Sequence, residues 1–170
     1  MLERLEQFLG AKQARFQLIT DSGGVAPTAS SLVSAWARVK VEIARDRDGL
    51  VMAVVPATCV VDFNRLARVI GHGPVRPASP REIDRAIPDC APGAVPPFGG
   101  LFGLPTVVDH RLLRAREITM PAGDPRTLLR MRVTEYRRLA VPRVGDFAMP
   151  ESLLGRRAIG ETRASRRHAG

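Results

Sequence analysis

The sequence predicts a mixed α/β or α+β domain, a mixed β-sheet with helices on its outside, and three observations carry that expectation. Strand-like segments with strict alternation or continuous apolar character recur at 39–43, 50–55 and 106–109. Two short helical patterns between them carry their own start and stop residues, at 62–71 and 79–87. No internal repeat is present, and 170 residues suit one domain with a real core.

Leu2, Leu5, Phe8 and Leu9 sit at helical spacing, so the chain opens with a helix. After the segment RFQLIT comes a glycine-containing loop, DSGGVAPT, in which Thr28 is placed to cap a helix over about 29–36. Val39, Val41 and Ile43 then alternate with Lys40 and Glu42, giving one apolar and one polar face. Asp48-Gly49 turns the chain into LVMAVV, which is apolar on both faces and reads as a central strand. Asp62 caps a helix whose Phe63, Leu66, Ala67 and Ile70 share a face, and Gly71 ends it. SPRE at 79–82 has the form of a capping box with proline at the first helical position, for a helix to Ile87. PTVVD, EITM and TLLRMRV are expected strands, and Thr134 the cap of a last helix, EYRRLA.

The balance of 26 basic to 17 acidic residues gives a formal charge of +9 and favours a polyanionic partner, nucleic acid first. The alternative reading is an arginine-rich coding bias that inflates the count, which the near absence of lysine supports, since only Lys12 and Lys40 are lysine. No apolar run approaches the roughly 20 residues that span a bilayer. MLERLEQFLG reads as an amphipathic helix and not a signal peptide, so a cytoplasmic location with no membrane partner is expected. Cys59 and Cys90 form no CxxC pair, and with His72, His110 and His168 they make no metal-ligand spacing.

Residues 88–105, PDCAPGAVPPFGGLFGLP, hold five prolines, four glycines and a single charge, Asp89. A linker would be polar; this segment carries Val95, Phe98, Leu101, Phe102 and Leu104, which implies backbone held in a defined shape. Within it Gly93–Pro97 forms a Gly-x-x-x-Pro loop, where Gly93 permits close backbone approach and Pro96 and Pro97 fix φ. Such a loop either presents N–H and C=O groups to a ligand or serves as a rigid connector. No nucleophile–base motif accompanies it, and Cys90 has no partner that would act as its base. Lys40 is a compact point charge suited to a phosphate or carbonyl oxygen, although a solvated lysine paired with Glu42 is the plainer reading.

VKV, DG and AVVP before a helix, then GAVPPFG, GLPTVVD and AGDPRTLLRMR, together resemble the YbaK/prolyl-tRNA-synthetase-associated editing domain family over roughly residues 16–148. The similarity is greatest to stand-alone members, through DCAPGAVPPFG and VPRVGDFA. The resemblance implies a partly barrel-like central sheet and an enzyme that hydrolyses the ester linking a wrong amino acid to the 3′-terminal adenosine of tRNA. It places the family's lysine on Lys40, holding the terminal phosphate or ester region, and its catalytic loop on Gly93–Pro97, with Ala94, Val95 and Pro96 against the aminoacyl group. Phe98 and Gly99 continue that motif, Gly123 matches a glycine beside the pocket, and Phe102 with Leu101 would bound it. Chemistry in the family is largely assisted by a hydroxyl of the substrate ribose, so no cofactor, metal or triad is implied. A second hydrolytic sieve is useful because one methylene separates amino acids by only about 1–3 kcal/mol in a synthetase pocket.

The chain departs from the family pattern at Asp21, where many relatives carry histidine, and at Val39 and Val41 around the lysine. The amino acid removed is left open. So are two other readings: a non-catalytic tRNA or nucleotide-binding module, and a small-molecule hydrolase or binding protein. Residues 1–150 are expected to form the domain. Residues 151–170, with Arg156, Arg157, Arg163, Arg166 and Arg167, read as a flexible basic tail that either tracks RNA or merely solubilises. An aminoacyl-tRNA synthetase is a candidate partner, and the oligomeric state is not legible.

Overall fold

The computed structural model describes residues 2–20, 37–71 and 73–153. The expected helix at 29–36, Asp21, and the five tail arginines lie outside them. Helix α1 (Glu3–Ala11) buries Leu5 and Leu9, as their spacing requires. Strand β1 (Gln17–Thr20) follows, then the hairpin of β2 (Val39–Arg45) and β3 (Leu50–Pro56), paired antiparallel with Lys40 opposite Val55 and Glu42 opposite Ala53. The turn is held by Asp46, whose carboxylate accepts from the amides of Asp48 and Gly49, both at 2.8 Å. Strand β4 (Cys59–Val61) leads into α2 (Phe63–Ile70), where Asp62 accepts from Asn64 and Arg65 amides and Gly71 ends the helix at φ 94°. Strand β5 (Arg76–Pro77) and helix α3 (Pro80–Ala86) come next. The capping box at Ser79 and Glu82 is formed as expected.

The remaining elements are β6 (Thr106–Asp109), β7 (Glu117–Pro121), β8 (Thr127–Arg132), α4 (Val133–Ala140), β9 (Arg143–Gly145) and β10 (Ala148–Pro150). Thr134 does not cap α4. Strand β8 runs straight into the helix, so Arg132 takes the N-cap position with no side-chain hydrogen bond.

The five-stranded sheet has the order β5-β2-β3-β6-β9, with β6 parallel to both β3 and β9. A second, antiparallel sheet has the order β1-β8-β7, and β10 pairs with β4. The two larger sheets touch at one parallel bridge, Arg38 to Thr119, just before β2 begins. The mixed α and β architecture expected from the sequence is therefore present.

Strand β3 is central and apolar on both faces. Met52 and Val54 enter the larger core with Leu5, Leu9, Ile118, Leu129 and Tyr136. Val51, Ala53 and Val55 enter a smaller one with Leu66 and Phe147. Among the described residues no helix is long and apolar enough to cross a membrane.

Candidate functional site

The Arg38–Thr119 bridge leaves a cleft where β2 departs from the second sheet. It has a volume of about 350 Å³, and Arg38, Lys40, Gly93, Ala94, Thr119 and Leu128 are among its walls. Lys40 and the first two residues of the Gly-x-x-x-Pro loop, Gly93 and Ala94, more than fifty residues away in the sequence, thus meet in one place. The lysine ammonium lies 3.4 Å from Glu151 and 3.7 Å from Glu42, with its side chain 32% exposed. The pairing with Glu42 was expected; Glu151, on the turn after β10, was not.

The loop is fixed from behind. Gly93 sits at φ 75°, a conformation that suits glycine, and open space surrounds its missing Cβ. The Ala94 amide donates to Ala91 at 2.9 Å, and the Gly123 amide donates to the Ala94 carbonyl at 2.8 Å. Gly123 itself adopts φ 101°, and a Cβ there would come within 2.5 Å of Leu2. The Pro97 carbonyl accepts from the Tyr136 hydroxyl at 3.1 Å, and burial pushes that phenol's pKa well up, so it stays a donor. Gly99 donates to the Thr106 hydroxyl at 3.0 Å, and a Cβ at Gly99 would lie 2.5 Å from Leu104 and Thr106 oxygens.

These contacts sort the expected site residues. Lys40, Gly93 and Ala94 line the cleft. Val95 faces a second cavity of about 360 Å³ on the other side of the Pro92–Gly93 ridge, walled by Val41, Ile83 and Ile87. Pro96, Pro97, Phe98 and Gly99 are buried. Phe98 stands 5.7 Å from Phe8 and 5.6 Å from Tyr136, ring centre to ring centre. Phe98 and Phe102, expected to touch substrate, line neither cavity. Phe98 anchors the loop in the core, and Phe102 lies 5.6 Å under the Arg4 guanidinium. Gly123 reaches the loop by its hydrogen bond to the Ala94 carbonyl.

Cys90 lies on the wall of the second cavity. Burial pushes its thiol up and the charge of Asp89 adds to this, with Arg4 offsetting part. Such a thiol is the opposite of an activated nucleophile. Sequence reasoning missed Thr119 and Leu128 as cleft residues: Thr119 lies on β7, outside the motifs that resemble the family, Leu128 lies inside AGDPRTLLRMR without being singled out, and the β7–β8 register brings both to the cleft.

A second polar cluster lies at the far end of β6. Asp109, His110 and Asp146 each offer an oxygen or nitrogen within 4.8 Å of the others. The Arg111 guanidinium already supplies the positive charge, 3.0 Å from Asp109 and 2.9 Å from Asp146. Burial works to raise the Asp109 carboxyl's pKa. The amides of Arg111, Phe147 and Ala148 and the Arg111 side chain outweigh that and hold it below the usual range.

The model of the aminoacyl-tRNA editing domain matches residues 21–139, which include the whole loop, Lys40 and Gly123. The chain belongs to the aminoacyl-tRNA editing domain family. Solved structures share the fold of this editing domain. The hypothetical protein APE2540 aligns with a TM-score of 0.74 at 23% identity, covering 86% of this chain and all of its own. A protein proposed as a trans-editing enzyme for prolyl-tRNA synthetase aligns with a TM-score of 0.69 at 23% identity, covering 88% of this chain and 99% of its own. A longer protein from Marinobacter aquaeolei VT8, proposed to act in signal transduction, matches over 30% of its length with a TM-score of 0.69. No curated protein matches the editing domain described here.

Proposed function

We propose that this editing domain is a trans-acting aminoacyl-tRNA deacylase, and that residues 1–150 are the catalytic unit. The observation that carries the reading is the meeting of Lys40 with Gly93 and Ala94, the start of the Gly-x-x-x-Pro loop, in one cleft, within a chain whose family acts in aminoacyl-tRNA editing. The 3′ end of the charged tRNA enters with its terminal phosphate toward Lys40 and Arg38. The ester carbonyl lies against the loop, where Gly93, exposed and without a Cβ, lets a carbonyl oxygen approach the backbone. An amide pre-aimed at the oxygen that gains charge lowers the barrier without a covalent intermediate. Water adds to the carbonyl carbon, assisted by a hydroxyl of the terminal ribose. The ester C–O bond breaks, and the departing ribose oxygen takes the proton. No protein nucleophile is required, in keeping with the inert thiol of Cys90. Tyr136 and Gly123 are positioning residues, since they hold the carbonyls of Pro97 and Ala94.

The test is deacylation of a panel of mischarged tRNAs, with Ala-, Cys- and Ser-esters and Pro-tRNA as control. Wild type and Lys40→Ala are run side by side. Selective hydrolysis that falls at least 100-fold in the variant supports the reading. RNA binding without turnover of any ester would replace it with a non-catalytic binding module of the same fold.

A further inference from the structure

Along β7 the side chains alternate: Ile118 and Met120 enter the larger core, while Thr119 and Pro121 line the cleft. Thr119 is only 4% exposed, and its Oγ1 is buried with no hydrogen-bond partner among the described residues. Two other buried polar atoms lack a hydrogen bond but sit beside a carboxylate: Arg130 Nε is 3.8 Å from Glu117, and His110 Nδ1 is 3.7 Å from Asp109. Thr119 Oγ1 has no such compensation among the described residues. Buried polar groups in native folds are satisfied almost without exception, so one left over at a cleft wall marks a place where a ligand completes the set. Packing alone would favour valine here, of nearly the same shape and at home in a strand.

Depth and charge say what the ligand group is. Arg38 and Lys40 share the cleft with Thr119 and are more exposed, so they suit a solvated anion, while Asp124 on the same walls suits a cationic group. The buried hydroxyl, donor and acceptor at once, suits a neutral sugar hydroxyl held deeper. We infer that Thr119 is a substrate-contacting residue of the cleft, whose Oγ1 hydrogen-bonds a hydroxyl of the terminal ribose while the cations beside it take the phosphate. The inference rests on the deacylase reading of the same cleft.

The experiment uses the ester that wild type hydrolyses fastest in the panel. Steady-state constants and melting temperatures are measured for Thr119→Val, Thr119→Ser and Thr119→Ala. Thr119→Val is expected to raise KM about tenfold with an unchanged or higher Tm, because the free protein loses only an unsatisfied group. Thr119→Ser keeps the hydroxyl and is expected to stay within about threefold of wild type; if Thr119→Val fails to fold, the Ser-to-Ala difference reads the same hydroxyl. A Thr119→Val enzyme with wild-type KM, or a Ser variant no better than Ala, overturns the inference and leaves the deacylase reading standing. A wild type that cleaves no ester in the panel overturns both.

Discussion

Two charged clusters lie at different places on the same sheet, and they are built to different standards. Asp109 is fully buried, and its two oxygens accept from the Arg111, Phe147 and Ala148 amides and from the Arg111 guanidinium, at 2.7 to 3.0 Å. Lys40 keeps its acids at 3.4 and 3.7 Å and remains a third exposed. A buried carboxylate with every lone pair occupied has nothing left to offer a ligand; it ties β6 to the chain entering β10. An exposed ammonium with loose partners can exchange them for a phosphate at small cost. Completeness of the shell, and not the presence of charge, separates the structural cluster from the available one.

The largest effect tests the closed cluster. Asp109→Ala leaves two buried amides without their acceptor and the Arg111 guanidinium with Asp146 as its remaining carboxylate, and is expected to cost about 3–5 kcal/mol in denaturant unfolding. Lys40→Ala is the converse. It is expected to move stability by less than about 1 kcal/mol while abolishing hydrolysis. A variant that unfolds would erase the distinction between the clusters.

Acid unfolding sharpens the contrast. Ion pairing with Arg76 and hydrogen bonds at Ser79 draw Glu82 down to about 2, and Arg138 with the Arg15 amide does the same for Glu135. Asp109 lies below its ordinary 3.8. In each case the unfolded chain binds the proton at higher pH than the folded one. The stabilisation is therefore complete above about 4.5 and is lost as pH falls from there toward 2. Added salt should flatten the contributions of the partly exposed Glu82 and Glu135 and leave that of the fully buried Asp109, which Asp109→Asn removes. The smallest effect belongs to Glu151→Gln. With one competitor gone from Lys40, KM is expected to fall by about twofold, with stability unchanged within about 0.5 kcal/mol. A raised KM would make Glu151 a positioning residue instead.

Much of this was legible in the sequence where the determinants are local. The β2–β3 hairpin follows from alternation and a turn, and α2 and α3 from their own caps. Lys40 and Gly93 were legible because a motif surrounds each. Thr119 was not, since it becomes a cleft residue only through the register of β7 and its bridge to Arg38. Phe98 misled for a related reason: an aromatic in an apolar loop looks the same whether it faces a ligand or the core. Only the positions of Phe8 and Tyr136 decide it. Strands β5, β9 and β10, of two or three residues each, are too short to carry a period. The false cap at Thr134 arose because a strand entering a helix without a loop leaves no room for one.

The pairing of β1 with β8 joins Gln17 to Arg130, and the cleft draws on residues from Arg38 to Leu128. Such distant contacts are slow to form, because the intervening chain must be ordered before they reward it. On the ribosome, the hairpin and α2 can take shape while the cleft still lacks its floor. A nascent chain therefore has no competent site until β8 has emerged, and no N-terminal fragment ending before residue 128 should bind the substrate.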